Sequence, residues 1–151
     1  MSHSSYLGRV AEAALLTVAS VVAGALACVA LRTFVIDDYR VTSVSMEPTV
    51  REGALALGEK LSVREGGITA GEVVTLRSPE DGKVLLKRVA ATGGQTVMNP
   101  SGATHVVAPG CVFVVGDNEA LSHDSRAFGD VPASEVVSHV FLVLNPAGPA
   151  S

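Results

Sequence analysis

Apolar residues are spread unevenly along this 151-residue chain. No charged residue occurs at positions 13–31, and at ~1.5 Å of rise per helical residue such a run roughly matches the ~30 Å hydrocarbon core of a bilayer. The pattern predicts one transmembrane helix over residues 10–32, behind a short polar tail of residues 1–9. A cleavable signal peptide is the competing reading, because Ala25-Leu26-Ala27 has a small-x-small pattern. Signal cores run only ~7 to 15 residues, so the longer run here favours a retained anchor. Past Arg32 the pattern changes to short apolar runs bounded by Gly, Pro, Asn and Asp. It predicts strands at 39–44, 54–60, 72–77, 84–91, 95–98, 104–107, 111–115 and 136–144. Turn stretches such as Glu65-Gly66-Gly67 and Pro79-Glu80-Asp81-Gly82 separate them, with little helical periodicity after residue 32. The expected architecture is mostly β: a compact barrel-like sheet at 39–145, a juxtamembrane link at 33–38 and a disordered tail at 146–151.

Composition narrows the partners. Hydrophobic residues make up 48% of the chain, enough for the core of one domain after the helix is set aside. Of the 11 Lys plus Arg and 15 Asp plus Glu, only Arg9, Glu12 and Arg32 lie at or before position 32, which leaves the remainder net acidic. An electrostatic footprint for nucleic acid is therefore not expected, and 4% aromatic content offers few stacking platforms. Cys28 lies inside the apolar run and Cys111 beyond it, so the two are not expected to pair. Arg9 on one side of the run faces Arg32 and Arg40 on the other, so charge does not set the orientation of the helix.

Candidate chemistry begins at Ser45, in VTSVSMEPTV at residues 41–50. Pro48 fixes φ and cannot donate to a ladder, so the strand breaks there and Ser45 sits at a rigid, accessible position. By itself this is more simply the end of an ordinary strand with turn chemistry. The link from residue 31 keeps Ser45 within a few nanometres of the membrane surface. A serine nucleophile needs a base. His3 precedes the helix, and His105 and His139 fall in strand-like runs. His123 and Asp124 are sequence neighbours in a turn, where the two seldom face one another as a triad requires. Among Lys60, Lys83 and Lys87, the last sits in VLLKRVAA on the strand face of Leu85 and Val89. Burial there disfavours the ammonium and frees an amine to act as a base; a lysine snorkelling from an edge strand is the alternative. A third stretch, GDNEALSHDSRAFG at 116–129, concentrates hydroxyl and charged groups, with Asp117 and Asn118 in a turn and Asp124 and Arg126 placed to pair. No metal-ligand spacing and no cofactor motif is present.

Taken together, these stretches resemble the type I signal peptidases, membrane-anchored Ser/Lys endopeptidases. The family's SGSMxPT is matched by SVSMEPT at 43–49 apart from one position, and its GDIVVF-like text is approximated by GEVVTL at 71–76. KRVAATGGQTV at 87–97 approximates the lysine segment, and GDNxxxSxDSRxxG is matched in full at 116–129. Order and spacing agree, and the resemblance spans the helix and nearly all of the domain.

The resemblance implies that Ser45 is the nucleophile, Lys87 the general base and Ser122 the group that orients the lysine. It implies an oxyanion hole from the Ser45 amide and the Ser43 hydroxyl, with Asp117, Asp124 and Arg126 as structural support. It further implies a single-pass plasma-membrane protein whose extracytoplasmic peptidase domain is a compact, mostly antiparallel barrel-like β fold. Its partners would be signal-peptide-bearing preproteins and the lipid bilayer, the preproteins being cut after small residues. A dedicated peptidase for one client and a silent membrane-tethered peptide-binding domain are the alternatives. Three departures stand out: Val44 where the family has glycine, Glu119-Ala120-Leu121 in place of an RDN-type triplet, and Gly93-Gly94-Gln95 in place of Pro-Gly-Asp.

Overall fold

An uninterrupted apolar run without proline leaves the backbone free to bond to itself, and helix α1 (His3–Phe34) is the result. The structure, a computed structural model, describes residues 3–98 and 102–146. The most apolar stretch of 18 residues within Gly8–Thr33 has a mean hydropathy of 2.4, and every residue of the segment is exposed. Its hydroxyls are nevertheless satisfied. Thr17, Ser20 and Thr33 donate to the carbonyls of Ala13, Leu16 and Val29 at 2.8, 2.9 and 2.7 Å, which leaves no free hydroxyl hydrogen for lipid to face. Among the described residues this is the one helix long and apolar enough to cross a membrane. It starts inside the stretch expected as a polar tail.

The second unit begins at Ile36. Its strands are β1 (Ile36–Arg40), β2 (Leu55–Glu59), β3 (Val73–Arg77), β4 (Val84–Thr92), β5 (Thr96–Met98), β6 (Thr104–Val106), β7 (Cys111–Val115), β8 (Val131–Pro132) and β9 (Val136–Leu144). Seven of them form one sheet in the order β1-β2-β9-β3-β4-β7-β8, every neighbouring pair antiparallel; β5 and β6 form a separate hairpin. This is the mostly antiparallel β architecture expected.

Differences from expectation lie in short elements. β1 occupies part of the expected link. Asp37 and Asp38 argue against a strand, but β1 is an edge, where charges are tolerated, and Asp37 lies 3.7 Å from Lys60. Beyond Arg40 only Val41 continues the pairing, donating to Ala54 O at 2.9 Å. Helices α2 (Leu61–Arg64) and α3 (Ser125–Phe128) are four residues each, too short to show a helical period in sequence.

Two large apolar clusters carry most of the core, beside a smaller one of Ala91, Val107 and Phe113. Val41, Met46, Val50, Ala54, Ala56, Leu86 and Val140 form one; Val74, Leu76, Val89, Val112, Val114, Val131 and Val136 form the other. Between β2, β9 and β3 the buried hydroxyls of Thr75 and Ser138 lie 2.6 Å apart, and a Cβ on Gly58 would stand 2.9 Å from Ser138 Cβ. Asn145 holds the end of β9, accepting from Arg51 N at 2.9 Å and donating to Thr49 O at 3.1 Å. Of the expected tail, residues 147–151 lie outside the described residues.

Candidate active site

Ser45 sits in a turn pinned by its neighbours. Met46 and Val50 are 1% and 0% exposed, and burying side chains of this kind stabilises by ~1.5–3 kcal/mol each. Glu47 N donates to Val44 O at 3.1 Å and Val50 N to Met46 O at 2.8 Å, closing the turn around a cis Glu47–Pro48 peptide. No described residue other than glycine has a positive φ, so the turn is built at Val44 without a glycine-only conformation. The Ser45 side is thus rigid without the glycine that the resemblance leads one to expect.

β4 brings in the second component. Alternation sends Lys87 inward, 3% exposed, and Arg88 to the opposite side. Both grip the loop at 116–129. Lys87 Nζ donates to Ser122 Oγ at 3.0 Å, while Arg88 Nε and one terminal nitrogen meet the two Asp117 oxygens at 2.8 and 2.7 Å. The other terminal nitrogen of Arg88 reaches Gly71 O at 2.8 Å. A Cβ on Gly116 would lie 2.6 Å from Ser122 Cβ and closer still to Ser122 Oγ and Ser45 O. Three segments meet at that point, and only glycine leaves them room.

Asp124 organises the polar end. It is 1% exposed and caps α3 through Arg126 N at 3.2 Å. It also accepts from Arg126 Nε and a terminal nitrogen at 2.9 and 2.7 Å, from Gly116 N at 2.9 Å and from Ser122 Oγ at 2.5 Å. Burial alone pushes its carboxyl up, but these donors together hold it down at about 2. An anion at neutral pH, Asp124 can only accept. The Ser122 hydroxyl therefore spends its proton on Asp124 and offers Lys87 a lone pair. Burial pulls the Lys87 amine below its ordinary value; Asp124 opposes this and Arg126 adds to it. Hydrogen bonding from Arg88 first of all holds Asp117 below the usual carboxylate range.

Ser45, 7% exposed, and Lys87 line one cavity of about 300 Å³, together with Tyr39, Val41, Ser43 and Leu86. Among the described residues no hydrogen bond joins Ser45 Oγ to Lys87 Nζ. The Ser45 N–H donates to Ser43 Oγ at 3.2 Å, so the two expected oxyanion donors are bonded to each other. His123 faces away from a triad: its ring meets Glu80 at 2.8 Å and packs on Phe128, while Asp124 is taken up by Ser122, Gly116 and Arg126. His105 bonds Asp130 at 2.7 Å, and His139 lies 3.8 Å from Glu59, both away from the cavity lining.

Ser43, Ser45, Lys87, Ser122, Asp124 and Arg126 are thus brought together, with Asp117 held one layer behind by Arg88. The sequence alone gives Tyr39, Arg88, Gly116 and Asn118 no role in the site. The basic residue after Lys87 and the Gly-Asp-Asn opening of the last loop were the available signals for three of them; the Tyr39 hydroxyl, which donates to Val84 O at 2.9 Å, had none.

The profile of the signal peptidase family, peptidase S26, matches residues 13–102 and 98–145. The chain belongs to this family. Signal peptidase I V of Bacillus subtilis (strain 168) is 32% identical over 143 residues, covering 71% of this chain and 84% of that protein. Probable signal peptidase I-1 of Synechocystis sp. (strain ATCC 27184 / PCC 6803 / Kazusa) is 29% identical over 147 residues, covering 78% and 75%. Mitochondrial inner membrane protease subunit 1 of Homo sapiens is 33% identical over 108 residues, covering 68% and 65%. As a signal peptidase the chain is a hydrolase, a membrane-bound serine endopeptidase that cleaves signal peptides. A silent binding domain and a single-client enzyme are not favoured.

Proposed function

We propose that Ser45 is the nucleophile of this signal peptidase and Lys87 its general base. The observation that carries the assignment is the directed chain that starts at Lys87, in the cavity that Ser45 also lines, and runs through Ser122 to Asp124 and Arg126. One N–H of a neutral Lys87 is committed to Ser122, which leaves the nitrogen lone pair for the Ser45 hydroxyl. Ser45 Oγ adds to the carbonyl carbon before the cut as its proton passes to Lys87 Nζ. The carbonyl pair becomes an oxyanion. Its collapse expels the mature chain's amine, which takes the proton from Lys87, and water releases the signal peptide from Ser45 by the same steps in reverse.

The oxyanion is held by the Ser45 amide and the Ser43 hydroxyl, donors of a kind worth ~3 kcal/mol each. In the structure Ser43 accepts from that amide, so its hydroxyl must turn to donate; Ser43 is exposed, and nothing buried has to move. Asp117, Asp124 and Arg126 hold the loop. The preprotein binds as an added strand. β4 pairs with β3 from Val84 to Arg88 but with β7 only from Arg88 on, so residues 84–87 keep one edge open beside the cavity. Leu86 and Val41 in the lining leave shallow room for small side chains before the cut.

The enzyme resides in the plasma membrane, anchored once through Gly8–Thr33 with its peptidase domain outside the cytoplasm. Full-length protein in detergent is to be assayed on a labelled preprotein with an Ala-x-Ala site, beside Ser45→Ala and Lys87→Ala. Loss of turnover in both folded variants is expected; turnover surviving in either would mean that a different nucleophile or base acts. Protease protection of the domain in intact cells, and its loss on permeabilisation, would overturn the assigned side.

A further inference from the structure

We propose that Asn118 is a positioning residue that aims the Ser45 amide at the transition-state oxygen, an inference that rests on the oxyanion role given to that amide above. A trans peptide unit is planar, with a rotation barrier of ~18–20 kcal/mol, so fixing its carbonyl fixes its N–H in the opposite direction. In the unit joining Val44 to Ser45, the N–H is the proposed donor. Its carbonyl end, Val44 O, accepts from Asn118 Nδ2 at 3.2 Å and from Glu47 N at 3.1 Å, which uses both lone pairs. The next unit is held by the same residue, because Asn118 N donates to Ser45 O at 3.0 Å. Asn118 therefore grips the peptide on each side of Ser45.

The two bonds to Val44 O differ in what they fix. Glu47 belongs to the turn and moves with it. Asn118 belongs to the loop at 116–129, which Arg88 locks to β4 through Asp117 and which also carries Ser122. The donor for the oxyanion and the hydroxyl that orients the lysine are thereby set in one frame. Half-buried and outside the cavity lining, Asn118 has no place against the bound peptide. Its side chain acts through Val44 alone.

Three quantities separate this role from a merely structural one: kcat and KM on a preprotein, Kd for an uncleavable reduced-amide peptide, and Ki for a peptide aldehyde. With the aldehyde, Ser45 Oγ bonds to the aldehyde carbon, the hydroxyl proton passes to Lys87 and the carbonyl pair becomes an oxyanion facing the same amide. In full-length Asn118→Ala, kcat is expected to fall ~10- to 100-fold and aldehyde affinity to fall in parallel, with KM and the reduced-amide Kd within about twofold of wild type. The proposal is overturned if kcat stays within about threefold of wild type, if it falls while aldehyde binding holds, or if KM carries the loss. Should circular dichroism show Asn118→Ala unfolded, Asn118→Asp, which keeps the shape and removes the donor, faces the same outcomes. Ser45→Ala and Lys87→Ala run alongside. If they retain turnover the nucleophile reading fails by itself, whereas dead controls beside an unimpaired Asn118→Ala defeat only the role of Asn118.

Discussion

Asp124→Asn tests whether a fixed anion directs the proton at this site. The substitution keeps shape and volume but turns an acceptor of five hydrogen bonds into a group with one oxygen and one NH2. Whichever way the amide turns, donors face its NH2 group. If the NH2 lies toward Ser122, the serine proton loses its acceptor and swings onto the Lys87 lone pair that catalysis needs. The charge change acts on Lys87 directly as well. Lys87 Nζ and Asp124 Oδ2 are at most about 5.5 Å apart, the two bonds through Ser122 laid end to end. At an effective dielectric of ~20 the lost attraction is about 3 kcal/mol, with Arg126 left to repel the ammonium. Deprotonation of Lys87 becomes easier, so the acid limb of kcat/KM against pH should move to lower pH by on the order of one pH unit or more, while the plateau drops. Arg126, 20% exposed, keeps Glu119 at 2.7 Å as its one carboxylate partner, and a loss of about 3 kcal/mol of stability, or roughly 10 °C in Tm, is expected. The assay is a pH–rate profile on a preprotein with thermal melts of the same samples. An acid limb that stays put or moves to higher pH would refute the reasoning, whatever happens to the plateau.

Three further outcomes follow from the same geometry. Gly116→Ala forces a methyl group into Ser122 and the Ser45 carbonyl, and should cut turnover by ~100-fold or more with about 1–3 kcal/mol of destabilisation; near-wild-type turnover would show that the three segments can part cheaply. Lys87→Met removes a desolvated amine while Ser122 keeps Asp124, so the variant should be inactive yet as stable as wild type or up to ~1 kcal/mol more so, and a lower denaturation midpoint would count against the burial argument. Asp124 titrates near 2 when folded and near 3.8 when unfolded, so its contribution of about 2 kcal/mol is present above pH 3.8 and lost as pH falls toward 2. Urea titrations of wild type and Asp124→Asn across that window should converge at the acid end; parallel curves would assign the acid loss to other groups.

Much of the domain was legible in sequence because its strands are long enough to alternate. β3, β4, β7 and β9 all lie within a few residues of their expected positions. β1 was displaced because Asp37 and Asp38 look like a linker, and only an edge position makes them acceptable in a strand. The short helices escaped notice because four residues do not complete a period that can be recognised. In the site, turn chemistry and face alternation marked Ser45 and Lys87 only as candidates, each beside an ordinary structural alternative, and their pairing came from the family's motifs. Arg88, Gly116 and Asn118 could not be given roles, since each acts on a segment remote in the chain: Gly71 and Asp117 for Arg88, Ser45 for Gly116, Val44 and Ser45 for Asn118.

What the sequence determined by itself was the apolar run, the mostly β character of the domain and the candidate groups of the site, because these depend on composition and on periods of a few residues. The tertiary structure alone decided direction. Whether Ser122 gives its proton to Lys87 or to Asp124, whether the Ser45 amide faces a ligand or Ser43, and which way His123 turns are questions of relative position between loops dozens of residues apart. The answers rest on one buried carboxylate held as an anion by Arg126, Gly116 and Ser122, and on a glycine where three segments meet with no room for a methyl group.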